Sequence, residues 1–152
     1  MRYTSLDTHL SVAPQLEVAD IAAIARAGFT TVICNRPEAE AADQPATAAL
    51  AAEARHHGLV FLHQPVVGAS IGAADIAAFD DALRQATGPV LAFCRTGTRS
   101  ATLWALGQAQ RRPVDAVLAD AQRAGYDLSA LRPRLELVAA AAHRGASGPG
   151  MG

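Results

Sequence analysis

Short apolar runs alternate along this chain with stretches whose apolar residues recur at helical spacing. Leu10-Ser11-Val12 forms the first run, broken by Pro14 and Gln15. Val18, Ile21, Ile24 and Ala25 then fit a helix over residues 18–27, and Gly28 supplies its stop. Thr30-Thr31-Val32-Ile33-Cys34 is β-branched and apolar, which predicts a buried strand. Gln44-Pro45 opens a helix that reaches about His57 and is stopped by Gly58. Leu59-Val60-Phe61-Leu62-His63 predicts the next strand, ended by Gln64-Pro65. Ile76, Phe79 and Leu83 share one face of a helix over 73–86, and Val90-Leu91-Ala92-Phe93 is a further short strand. A helix follows Gly97, with Leu103 and Leu106 on one face. Pro113 fits the start of another, striped by Val114, Val117, Leu118 and Ala121. Residues 131–143 make the last.

Strands that alternate with helices predict an α/β fold with a mostly parallel central sheet flanked by helices. The expected organisation is a single domain over 1–144 and a flexible C-terminal tail over 145–152, whose Gly, Ser and Pro offer nothing to a core. In such sheets ligands bind beyond the carboxyl ends of the strands. Cys94, Asn35-Arg36 and His63-Gln64 each follow a strand, so parallel neighbours would bring all three to one rim.

Composition narrows the function. With 152 residues, 51% hydrophobic, the chain can bury one sizeable core. A net charge of −1 without a basic stripe argues against nucleic acid as a partner. No apolar run approaches the ~20 residues of a membrane span, and the N-terminus lacks a signal-peptide apolar region. The two cysteines, Cys34 and Cys94, do not resemble a secreted disulfide framework, so a cytoplasmic location is expected. His56, His57 and His63 lack ligand spacing, and neither metal nor cofactor is expected.

The candidate chemistry lies in Cys94-Arg95-Thr96-Gly97-Thr98-Arg99-Ser100. A tight turn between strand and helix aims backbone N–H groups at one point, at the positive end of the helix. A sulfur at that point favours the thiolate form. A buried, inert cysteine beside a solvated turn is the alternative, and it leaves the other six polar residues unexplained. Cys34 is expected as core packing, or else as a resolving cysteine for Cys94. Arg36 either lines the rim and attracts an anion, or pairs with Glu38 or Glu40. The Arg95 side chain either joins the loop or faces solvent. Trp104 is expected in the core. His63 either reaches the rim or is structural.

The Cys…Gly…Arg-Ser loop after a strand resembles the catalytic loop of protein tyrosine and dual-specificity phosphatases, and equally that of rhodanese-type sulfurtransferases. Over about 11–131 the chain most resembles the phosphatase-like domain of beta-lactamase-hydrolase-like proteins. Ala27-Gly28-Phe29, Asn35-Arg36-Pro37-Glu38, Gln44-Pro45, Pro89-Val90-Leu91-Ala92, the cysteine loop, Leu103-Trp104-Ala105-Leu106 and Ala124-Gly125-Tyr126-Asp127-Leu128 carry that likeness. The resemblance implies a protein tyrosine phosphatase-like fold. It also implies relatives fused to, or encoded beside, a metallo-hydrolase or persulfide-oxidising partner.

Two chemistries follow. The phosphatase pattern is Cys-x5-Arg, with a separate aspartate as general acid. Carried over, Cys94 is the nucleophile and Arg99 the oxyanion clamp, Ser100 can hydrogen-bond the thiolate, and Arg95, Thr96, Gly97, Thr98 and Arg36 contact the anion. Two features depart from it. Only four residues separate Cys94 from Arg99, and the acid position falls near Gly68, leaving Asp75 as the nearest carboxylate after it, either as general acid or as a residue that begins a helix where its charge favours the dipole. Glu38, Glu40 and Asp43 are alternatives from another loop. A sulfurtransferase needs no acid for a leaving group such as sulfite, and a smaller loop suits one sulfur. A Cys94 persulfide is therefore the first expectation and a phosphocysteine the second, with a non-catalytic anion-binding or redox-sensing module third. The substrate is a small anion: thiosulfate, a persulfide or a phosphoester.

Overall fold

The computed structural model describes residues 1–146. Five strands, β1 (Thr4–Ser5), β2 (Leu10–Ala13), β3 (Thr31–Cys34), β4 (Val60–His63) and β5 (Val90–Phe93), form one sheet in the order β1-β2-β5-β3-β4. β1 pairs antiparallel to β2, and every other pairing is parallel. The expected α/β architecture is thus present. The pair Thr4–Ser5 was not foreseen, because two exposed residues carry no alternation to detect.

The three inner strands are buried throughout, as β-branched and apolar runs covered on both faces should be. On one face, Leu16, Ile21, Ile24, Leu50 and Ala54 pack with Val32, Leu91 and Phe93. They come mainly from α1 (Ile21–Arg26) and α2 (Thr47–His56). The opposite face carries the larger core, built on α3 (Ala73–Gln85), α4 (Thr98–Gln108), α5 (Val114–Arg123) and α6 (Arg132–Ala146). Each fully buried Leu, Ile or Phe there contributes roughly 1.5–3 kcal/mol. Trp104 is in this core as expected, 1% exposed, and its indole N–H donates to Asp7 Oδ2 at 3.0 Å.

Two boundaries differ from the sequence expectation. The helix expected over 18–27 begins as a separate 3-10 turn, Val18–Asp20. There the Asp20 carboxylate accepts the Glu17 N–H at 2.8 Å and tightens the turn before α1 starts. The expected tail over 145–152 overlaps α6, which runs to Ala146. Residues 147–152 lie outside the described residues. Among those described, no helix is long and apolar enough to cross a membrane.

Candidate active site

Parallel pairing aligns the carboxyl ends of four strands. Ala13 and Cys34 both stand opposite Phe93, and His63 stands opposite Cys34. The chains leaving those ends stay hydrogen-bonded. Gln15 N–H donates to the Arg95 carbonyl at 3.1 Å, Asn35 N–H to Phe93 at 2.8 Å and Gln64 N–H to Cys34 at 2.9 Å. Cys94, Asn35-Arg36 and Gln64 therefore share one rim.

Cys94 leaves β5 directly and is 1% exposed. The turn after it closes in three residues, because Gly97 takes φ = +94°, a conformation L side chains resist. That rotation points the Gly97 N–H at Cys94 Sγ, 3.1 Å away, just before α4 begins at Thr98. The short loop, the left-handed glycine and the helix start together set partial positive charge beside the sulfur. Thr96 and Thr98 bond to each other through their hydroxyls at 3.1 Å and brace the turn.

Arg99 projects from the first turn of α4 over the rim. Its Nη1 and Nη2 each lie 2.8 Å from an oxygen of Glu40, and Nη1 also donates to the Val66 carbonyl at 3.0 Å. Glu40 Oε1 in turn accepts Arg36 Nε at 2.9 Å, and Arg36 Nη1 reaches Gln15 Oε1 at 3.0 Å. Hydrogen bonding from Arg99, then from Arg36, pulls the Glu40 pKa down to about 2 against the opposing effect of burial. Ala39, at φ = 55°, turns the chain immediately before Glu40, and such a conformation in a non-glycine costs of order 1–3 kcal/mol. Glu40 is thus built into the centre as the counter-ion of two arginines.

The structure decides between the alternatives for the remaining residues. Ser100, fully buried, does not give its proton to Cys94; the hydroxyl has one proton and donates it to Asn35 Oδ1 at 2.7 Å. Asn35 Nδ2 donates to the Gln64 carbonyl at 2.9 Å, so this side chain ties β3, β4 and α4 together. Replacing Asn35 by alanine strands a buried hydroxyl and a carbonyl. It is expected to lower unfolding free energy by about 1–3 kcal/mol, measured by urea denaturation. Arg36, expected as an anion contact or an ion-pair partner, is 4% exposed and forms the ion pair with Glu40. Asp75 caps α3, accepting the Gly72 N–H at 2.9 Å, as its place in the first turn of a helix favours. Glu38 accepts the Thr47 N–H at 3.0 Å, and those bonds lower its pKa.

Cys34 is buried, and burial pushes its pKa up to about 11, so it stays a thiol. Its Sγ donates to the Arg36 carbonyl at 3.4 Å, and it packs on the α1–α2 face. His63 Nε2 bonds the same carbonyl at 2.9 Å. Among the described residues, no group of three or more His, Cys, Asp or Glu could hold a metal. Sequence reasoning missed Glu40 as the partner of Arg99, and it missed Tyr126. The Tyr126 ring covers Gly97 so closely that a Cβ there would lie 2.1 Å from the phenolic oxygen.

Comparison with known proteins places this geometry in context. The family model described as beta-lactamase hydrolase-like protein, phosphatase-like domain, matches residues 2–111. A beta-lactamase hydrolase-like protein of Xylella fastidiosa (strain 9a5c) is 36% identical over 130 residues, which cover 84% of this chain and 30% of that protein. The chain therefore spans less than a third of that relative. A crystal structure of a candidate phosphatase from Neisseria meningitidis is 42% identical with a TM-score of 0.82, over 89% of this chain and 96% of that one. The crystal structure of PTPMT1, at 20% identity, shares the fold with a TM-score of 0.70 over 97% of this chain and all (100%) of that one.

Proposed function

The chain belongs to the phosphatase-like domain family of beta-lactamase hydrolase-like proteins, and on that premise we propose that it is a thiolate enzyme in which Cys94 carries a sulfane sulfur between small anions. The observation behind this reading is the state of the rim's carboxylates. Glu40 is held ionised with a pKa near about 2, Glu38 is lowered by its bonds to Thr47, and Asp75 is engaged as a helix cap. None of these is set up to give a proton to an alkoxide at neutral pH. Sulfur transfer needs no such proton. The Cys94 thiolate attacks the outer sulfur of thiosulfate, the S–S bond breaks, and sulfite leaves with the electron pair. The product is Cys94–S–S⁻, whose outer sulfur a second thiolate or cyanide then removes, restoring the Cys94 thiolate. The Gly97 N–H and the Arg99 charge stabilise the negative sulfur throughout.

Phosphoester hydrolysis through a Cys94 phosphocysteine is the second reading. The family description, the Neisseria relative and the tyrosine phosphatase-like fold favour it over sulfur transfer. Against it stand the four-residue spacing and the closure of the Arg99 fork on Glu40, which a bound phosphoryl group must open. The length of the curated relative fits the expectation of a fused or neighbouring metallo-hydrolase or persulfide-oxidising partner, which belongs to this proposal. Mass spectrometry of the intact protein after thiosulfate tests the pair. Sulfur transfer predicts the gain of one sulfur atom, released by cyanide. Absence of that gain, with steady release of inorganic phosphate from an aryl phosphate, overturns it in favour of the second reading.

A further inference from the structure

A recess opens directly beside the cysteine loop. Its volume is about 480 Å³, and its walls are β1, the end of β2, the loop itself and the turn after α5. Arg2, Arg95, Tyr3, Tyr126 and Thr96 are among the residues that line it. No carboxylate lines it. Among the described residues neither arginine takes part in an ion pair, whereas most other arginines of the chain do. Two cationic residues thus border one cavity with no counter-charge among its lining residues, a setting that favours an anion.

The recess is coupled to the chemistry by its lining. Arg95 and Thr96 are the two residues that follow Cys94. The Tyr126 hydroxyl lies 3.4 Å from the Thr96 carbonyl, and its ring covers the glycine whose N–H holds the sulfur. Cys94 is almost fully buried, so a free thiol in solution meets it rarely. A ligand anchored against Arg95 is held at the residue next to Cys94.

We infer that this recess binds the carboxylate end of a small organic thiol, the acceptor that takes the outer sulfur from Cys94. The guanidinium forks of Arg2 and Arg95 match carboxylate geometry, and the tyrosine rings pack against the carbon skeleton between carboxylate and sulfur. In the transfer the acceptor thiolate attacks the outer sulfur of Cys94–S–S⁻ and a new S–S bond forms on the acceptor. The old bond breaks and its electron pair returns to Cys94. No oxidant is consumed. The inference rests on the sulfur-transfer reading, but its binding step can be tested apart from it.

Tyr3 and Tyr126 are the only tyrosines of the chain, and both line the recess. Ring-labelled tyrosine therefore reports on it, Tyr126 sensing the cysteine loop as well and Tyr3 the far wall. The experiment titrates Cys94→Ser protein, which cannot turn over, with mercaptosuccinate, 2-mercaptoethanol and thiosulfate while following both tyrosine signals by NMR. Mercaptosuccinate is expected to shift both signals saturably, and Arg2→Gln and Arg95→Gln are each expected to weaken it about ten-fold or more. The uncharged thiol is expected to shift neither at the same concentration. Unchanged affinity in the two arginine variants overturns the inference. So does an equal response to 2-mercaptoethanol, or full competition by thiosulfate, which marks a general anion site. Sulfur uptake by the wild-type protein, measured separately, decides the transfer reading: uptake without tyrosine shifts removes only the recess, and shifts without uptake remove only the transfer.

Discussion

Replacing Cys94 by serine abolishes turnover and leaves the fold standing. A serine hydroxyl at this point is un-ionised at neutral pH, and no base touches it, so it cannot attack sulfur or phosphorus. The loss is expected to exceed about 10³-fold, as when an activated nucleophile is removed elsewhere. Cys34 cannot substitute. It packs on the opposite face of the sheet from α4, and its pKa near about 11 leaves it protonated. The fold survives because the serine oxygen can accept the Gly97 N–H that the sulfur accepts now. A stability change within about 1–2 kcal/mol is expected in urea denaturation. Activity that persists in this variant would place the nucleophile elsewhere.

The second large effect comes from a residue with no side chain. Gly97→Ala is expected to cut activity by roughly 100-fold, the scale of an ångström-sized displacement in a reacting geometry. It is also expected to cost about 1–3 kcal/mol in backbone strain alone. Two independent causes act there. The backbone sits at φ = +94°, and the new Cβ would lie 2.1 Å from the Tyr126 oxygen. The loop cannot relax without turning the Gly97 N–H away from Cys94. Adding Tyr126→Ala removes the collision but not the strain, so the double variant should recover part of the lost stability. Turnover rates and urea midpoints for the single and double variants check this.

The parts legible in the sequence were those set by local pattern. Four of the five strands and the helices that cover them follow from apolar runs and helical stripes: β2, β3 and β5 are buried along their length, β4 is a half-buried edge, and the helices bury one face. The shared rim followed from parallel pairing. What the chain order hides is pairing across distance. Arg99 and Glu40 are 59 residues apart, and Ser100 and Asn35 are 65 apart. Nothing in local spacing says that the serine proton goes to an asparagine and not to the sulfur. In the sequence Tyr126 carries only family likeness, since only the folded molecule shows the ring lying on Gly97.

The strand order carries a consequence for how the molecule comes into being. β2 and β3 never touch; both pair with β5, which arrives last of the five in the chain. Without β5 the sheet divides into two unconnected strand pairs, β1 with β2 and β3 with β4. β5 is the wedge that joins them, and it delivers Cys94 in the same movement. Joining the two halves of the sheet and setting Cys94 at its rim are therefore one event, and the helices that cover the sulfur follow it in the chain.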